Sequence, residues 1–176
     1  MTAAEAYKIH ISQAQKVGEM LGIAPYELAK YAFAVQKVEN RQFNPAATNK
    51  SSSARGMMQM LKGTQKEIET KYLKKDFVPD RIFNAEYAVF LGQYELGRQL
   101  NRYKGNWRKA VHAYNQGSYQ EKKSKSKGFA AGENYTNGVM NELYKTDYAA
   151  LNNESGYNVT AANGTGKITS LYQEWA

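Results

Sequence analysis

The sequence predicts an all-α domain. Apolar residues recur at spacings of three and four along most of the chain, and glycine or proline falls at the ends of those runs. Almost no segment alternates apolar with polar residues as a strand would. A length of 176 residues suits one domain with one sizeable core. The 42% apolar and 23% charged residues are the balance of an ordinary soluble globular protein.

Residues 4–22 read as the first helix, with Tyr7, Ile11, Ala14, Val17 and Leu21 on one face and Gly22 closing it. Pro25 suits the first turn of a second helix. The stripe Leu28, Ala32 and Val35 of that helix continues, at helical spacing, to Glu39. The polar stretch 43–55 is a loop, and a third helix is expected over 57–72, opened by Gly56. After a connection containing Pro79, a long fourth helix is expected over 82–103, with Phe83, Tyr87, Phe90 and Tyr94 on one face. Trp107, Val111 and Tyr114 share the face of a short fifth helix that stops at Gly117. The lysine-rich stretch 120–127 reads as a loop, and 133–144 as a helix with Tyr135, Val139 and Leu143 inward. From Asp147 onward the chain is poor in apolar residues and rich in Asn and Gly. The expected organisation is a domain over residues 1–146 and a polar, extended C-terminal tail over 147–176, in which 168–175 can dock.

Composition excludes several chemistries. Without cysteine there is no disulfide framework, thiolate catalyst or thiolate-bound metal. The two histidines, His10 and His112, lie far apart, and no carboxylates have metal-ligand spacing, so neither a metal nor another cofactor is expected. No stretch approaches the roughly 18 apolar residues of a membrane span. The N-terminus carries no apolar core of a secretory signal. A net charge of +8 implies an anionic partner or milieu, which nucleic acid, a membrane surface or a cell-wall polymer would each satisfy. The 14 tyrosines suit a helical core, and equally a polar cleft that stacks on sugars.

Glu39 stands out by pattern. A carboxylate on the apolar stripe of a helix either finds a partner or stays protonated. One reading places it at a helix end, exposed or paired with Arg41 or Arg55; the other makes it a general acid.

The blocks around it decide the expectation. Glu39-Asn40-Arg41-Gln42-Phe43-Asn44-Pro45-Ala46-Ala47 is followed by Gly56-Met57-Met58-Gln59, then by Asp76-Phe77-Val78-Pro79, Gly105-Asn106, Ala113-Tyr114-Asn115-Gln116-Gly117 and Glu133-Asn134-Tyr135. This ordered series resembles the soluble lytic transglycosylases, whose fold is that of goose-type lysozymes, and the resemblance covers roughly residues 15–146. It implies that Glu39 is the catalytic acid/base and that Gly56, Met58 and Gln59 line the cleft beside it. It further implies that Tyr114 lies near the glutamate, that Asn115 faces the sugar, and that Tyr135 also approaches the site. Two departures from the family pattern are visible. Asn40 replaces the usual Ser, and could serve in its place as a hydrogen-bond partner. Single extra residues precede Phe43 and Gly56.

The resemblance implies cleavage of the bond between N-acetylmuramic acid and N-acetylglucosamine, with closure of a 1,6-anhydro ring. One carboxylate suffices there because the substrate supplies its own nucleophile. The Gly-Met-Met-Gln and Ala-Tyr-Asn-Gln-Gly variants are similar to those in transglycosylase domains of short-tailed bacteriophage internal virion proteins. The implied setting is a phage virion, or the host periplasm after delivery. The expected partners are peptidoglycan glycan strands and other virion proteins, with nucleic-acid contact through Lys122, Lys123, Lys125 and Lys127 a secondary reading. The alternatives are a goose-type hydrolase and an inactive lysozyme-like virion module, the latter favoured by the extra residues near Glu39.

Overall fold

In the computed structural model, which describes residues 1–119 and 127–155, the chain is helical, with no strand among the described residues. The helices are α1 (Ala3–Leu21), α2 (Pro25–Glu39), α3 (Lys62–Glu67), α4 (Ala85–Arg102), α5 (Trp107–Gln116), α6 (Lys127–Lys145) and α7 (Tyr148–Ser155).

Local chemistry sets the boundaries. Thr2 and Glu5 form a reciprocal capping box that starts α1, the Thr2 hydroxyl accepting from Glu5 N at 3.1 Å. Pro25 occupies the first turn of α2, where its missing N–H costs nothing. Tyr7, Ile11, Leu28, Phe33, Leu91 and Leu96 are fully buried where α1, α2 and α4 meet. A polar cross-link runs through this core. His10 Nε2 lies 2.5 Å from Gln36 Oε1, and Gln93 Nε2 donates to the His10 carbonyl at 2.8 Å. Burial holds the His10 imidazole down at about 4, so it is neutral at pH 7.

Three expectations are corrected. The helix expected over 57–72 begins only at Lys62. Arg55 and Met60 instead exchange backbone hydrogen bonds at 3.0 and 3.1 Å, which closes 56–59 into a turn rather than a helix start. The helix then ends in one wide turn, Ile68–Tyr72, with hydrogen bonds to the fifth residue back. The helix expected over 82–103 is interrupted by Asn84. A tight 3₁₀ turn, Pro79–Phe83, precedes it, and the extended Asn84 caps α4 by accepting from Tyr87 N at 2.9 Å. The tail is not extended from its start. Residues Tyr148–Ser155 form α7 against α1, where the Tyr148 ring lies 5.6 Å from that of Tyr7. The expected lysine-rich loop at 120–126 and the docking of 168–175 lie outside the described residues. The helix expected over 133–144 runs longer, from Lys127 to Lys145, with Val139 and Leu143 buried. No helix among the described residues is long and apolar enough to cross a membrane.

Candidate active site

A cleft of about 380 Å³ opens between the end of α2, the loop 49–61, α4 and the end of α5. Its walls include the polar Glu39, Asn49, Ser52, Gln59, Thr64, Glu95, Tyr114, Asn115 and Gln116 beside the apolar Ala54, Met60 and Leu61.

Glu39 is the last residue of α2, below the buried Leu28, Ala32 and Val35. Its Oε1 accepts a hydrogen bond from the Tyr135 hydroxyl of α6 at 2.8 Å. Burial pushes the Glu39 carboxyl above its usual range, and the Tyr135 hydrogen bond pulls it part of the way back. A carboxylate at a helix C-terminus also faces the negative end of the helix dipole, which acts in the same direction as burial. The two neighbours that could have neutralised it are engaged elsewhere. Arg41 pairs with Glu142 at 2.6 Å, and Arg55 donates to Gln65 Oε1 at 2.8 Å.

The loop motif is shaped by backbone geometry. Gly56 has φ 75°, and a Cβ there would lie 2.5 Å from the Ile82 carbonyl oxygen, so a side chain does not fit. Met58 is fully buried and presses on Gly92 of α4, where a Cβ would meet its side chain at 2.5 Å. Gln59, at φ 47°, folds its amide back to the Gly56 carbonyl at 3.0 Å while lining the cleft.

Asn40 uses both ends of its side chain. It donates to the carbonyls of Asn44 at 2.8 Å and Gly56 at 3.4 Å, and accepts from Asn44 N at 3.2 Å. It staples the two loops together behind the site and does not bond Glu39. The extra residue before Phe43 is absorbed locally. Phe43 adopts a left-handed backbone, φ 50°, and its ring still stacks on Phe33 at 5.8 Å. Glu39 therefore keeps its place at the helix end.

Tyr114 lines the same cleft as Glu39 but does not bond its carboxylate. Its hydroxyl donates to the Met58 carbonyl at 2.9 Å. Burial, followed by the charges of Glu39 and then Glu95, holds the Tyr114 phenol well above its usual range, so it stays a donor. Tyr135 is shifted the same way by burial and by Glu39. Asn115 is exposed at the cleft rim, accepting from Gln116 Nε2 at 2.5 Å.

The cleft residue of most chemical interest that escaped the sequence reading is Glu95. Glu95 is 6% exposed on α4, paired with Arg98 at 2.8 Å. The signal was present: Glu95 continues the buried Ala88–Leu91 face of α4 much as Glu39 continues the stripe of α2. Asn49, Ser52 and Thr64 were also missed, being polar loop and helix-start residues without a distinguishing pattern.

An acid whose proton is favoured by burial, set in a polar cleft wide enough for a sugar, can protonate a glycosidic oxygen. With the all-helical fold, this defines a lysozyme-like glycan-cleaving enzyme. A family model described as Transglycosylase SLT domain matches residues 16–137, more than half of the chain, and the chain belongs to that family. The match contains every cleft-lining residue, from Glu39 to Gly117, and Tyr135. The protein is a peptidoglycan lytic transglycosylase. No curated protein matches the chain.

Proposed function

We propose that this enzyme cleaves the N-acetylmuramic acid–β-1,4–N-acetylglucosamine bond with Glu39 as its single acid/base, and that it releases a 1,6-anhydromuramyl product. The observation that carries the reading is the environment of Glu39: half-buried at a helix end, without a cationic partner among the described residues, and held by one phenol. Protonated Glu39 delivers its proton to the glycosidic oxygen as the C1–O bond breaks, and the acetamido group of the muramic residue stabilises the cation. Glu39, now a carboxylate, takes the proton of the C6 hydroxyl, whose oxygen bonds to C1. The proton balance closes within one turnover and no water is consumed. An intramolecular nucleophile supplies effective molarity of roughly 10⁵ M or more. Tyr135 orients Glu39, while Gln59 and Asn115 offer amides to the sugar.

The enzyme acts, on this reading, as a phage virion component that opens the wall during genome entry, so its place is the virion and then the host periplasm. The support is the similarity of the Met57-Met58 and Asn115-Gln116 variants to those of internal virion proteins, together with a net charge of +8 that suits an anionic wall polymer. Other virion proteins would be its partners. Detection of the chain in purified, washed particles tests this; its absence from them sinks the virion role and leaves the activity.

Hydrolysis is the second reading, because Glu95 places a second carboxylate in the cleft. Mass analysis of muropeptides released from purified peptidoglycan separates the two. The expected product is one water lighter than a reducing-end muropeptide, and Glu39→Gln should release none. Reducing-end products alone would establish the hydrolase.

A further inference from the structure

We infer that Glu95 is a substrate-binding residue of the same cleft, accepting a hydrogen bond from an N–H or hydroxyl of an N-acetylated sugar seated against Tyr114. Three observations carry this. Glu95 is only 6% exposed, yet it lines the cleft with Glu39 and Tyr114. A carboxylate this buried is costly unless something offsets it, and its donors come from its own helix. Arg98 reaches Oε2 through Nε at 3.0 Å and Nη2 at 2.8 Å, and Gln99 Nε2 reaches Oε1 at 2.8 Å. Arg98 is itself braced by the Tyr72 hydroxyl at 3.0 Å, so the carboxylate is fixed in direction.

The second observation is acceptor arithmetic. A carboxylate offers about four lone-pair sites, and three donors fill three of them. One acceptor remains for a ligand.

The third is placement. Glu39, Glu95 and Tyr114 line the same cleft, and the charges of both carboxylates raise the Tyr114 phenol. The Tyr114 hydroxyl is committed to Met58, which leaves its ring as the surface between them. Besides the apolar Ala54, Met60 and Leu61, the other polar side chains of the wall are amides and hydroxyls: Asn49, Ser52, Gln59, Thr64, Asn115 and Gln116. Each of these can donate as well as accept. Glu95 is acceptor-only, and so selects a donor. Acetamido N–H and ring hydroxyl groups are the donors that N-acetylated amino sugars carry.

This inference rests on Glu39 being the acid of the same cleft, and the test keeps the two apart. The β-1,4-linked trisaccharide of N-acetylglucosamine is titrated calorimetrically against Glu39→Gln protein, with and without Glu95→Gln, and glycan release from peptidoglycan is measured for Glu95→Gln alone. Glu95→Gln should weaken trisaccharide affinity by about tenfold or more, as expected for loss of a hydrogen bond to a charged acceptor. Glu95→Asp, which keeps the charge but retracts it, should fall between. Melting temperatures should change by less than about 4 °C. Unchanged affinity, no trisaccharide binding at all, or an affinity loss that tracks unfolding equally in the Gln and Asp variants each overturns the inference. Wild-type cleavage that persists alongside any of these leaves Glu39 in place and removes Glu95 from the sugar site. Failure of Glu39→Gln to stop cleavage sinks the reading of the acid instead.

Discussion

Tyr135→Phe is the sharpest perturbation of the site, because it removes one oxygen and one defined hydrogen bond. The hydroxyl donates to Glu39 Oε1 at 2.8 Å. Hydrogen bonds to charged groups contribute about 1.5–3 kcal/mol, which corresponds to roughly a tenfold to hundredfold change in rate if the bond is strongest when Glu39 is ionised. The sign of the pH effect follows from the same bond. Burial raises the Glu39 carboxyl and Tyr135 lowers it, so deleting the hydroxyl leaves burial unopposed and moves the carboxyl further up. The acid step needs protonated Glu39. The alkaline limb of the rate profile should therefore move to higher pH in Tyr135→Phe, while the maximal rate falls because the carboxylate formed as Glu39 gives up its proton to the leaving oxygen is less stabilised. The assay is release of soluble muropeptide from purified peptidoglycan across pH, with melting temperature as control. An unchanged rate with an unchanged alkaline limb would refute the claim that Tyr135 tunes Glu39. A limb that moves to lower pH would refute the claim that the bond favours the ionised form.

The remaining expectations concern the supports of the cleft. Tyr114→Phe orphans the Met58 carbonyl, which should cost about 1–3 kcal/mol of stability, read by urea denaturation, and should slow cleavage less than Tyr135→Phe does. A reversal of that order would put Tyr114, not Tyr135, on Glu39. Burial pushes the Glu142 carboxyl up, but hydrogen bonds from Lys37, Lys145 and Arg41 outweigh it and hold it at about 2. The stability this lends is fully present above the ordinary value of 4.5 and is lost as pH falls through about 2. With Arg41 and Lys145 largely exposed and screened, Glu142→Gln should cost about 1–2 kcal/mol at pH 7 in urea titrations. That difference should vanish near pH 2, and persistence there would show that the loss is packing rather than charge. Truncation after Ser155 should leave a folded, active enzyme. Truncation after Thr146 removes Tyr148 from Tyr7 and should lower stability by about 2–4 kcal/mol, with activity retained at low temperature. Equal melting curves for the two truncations would show that α7 adds nothing.

Much of this architecture was legible because the helices that carry the site are amphipathic and well punctuated. Pro25 and Gly22 fix the turn between α1 and α2, and the spacing from Leu28 to Glu39 puts the carboxylate on the inward face. The failures share a cause. Residues 57–60 look helical by composition, but two backbone hydrogen bonds between Arg55 and Met60, nonlocal to any helical register, outcompete the helix. Asn84 was read through because helical periodicity continues on both sides of it, although its cap geometry divides the segment. The apolar content of 148–155 is low, yet Tyr148 and Leu151 suffice to lay α7 on α1. At the site, the sequence placed Tyr114 inward correctly but could not say which acceptor its hydroxyl meets. That choice is set by where the 56–60 turn leaves the Met58 carbonyl.

Burial alone does not mark the acid in this protein. Glu69, Glu95 and Glu142 are 0%, 6% and 3% exposed, and Glu39 is less buried than any of them. What differs is the donor set. Glu142 is answered by three cations, and Glu95 by Arg98 and Gln99. Glu69 accepts from Gln65, Tyr87 and the Val78 amide, with Arg81 at 3.9 Å. Each of these carboxylates has two or more side-chain donors, and in Glu142 the donors hold the carboxyl down at about 2. Glu39 has a single neutral hydrogen-bond donor among the described residues, and the C-terminus of α2 behind it. One phenol is enough to aim the carboxyl, and it only partly offsets the burial that raises it. A group balanced in this way can give its proton to a leaving oxygen and take another back within one turnover, which an acid bonded as Glu142 is could not do. Adding a cation beside Glu39 should therefore be as damaging as removing it. Val38→Arg and Leu61→Arg, at positions 36% and 49% exposed that flank the acid in sequence and in the cleft wall, offer that comparison. The variant whose guanidinium reaches Glu39 should lose the alkaline limb of its activity first, as the carboxyl is drawn down. A variant with such a pair formed and full activity at alkaline pH would refute the balance argument.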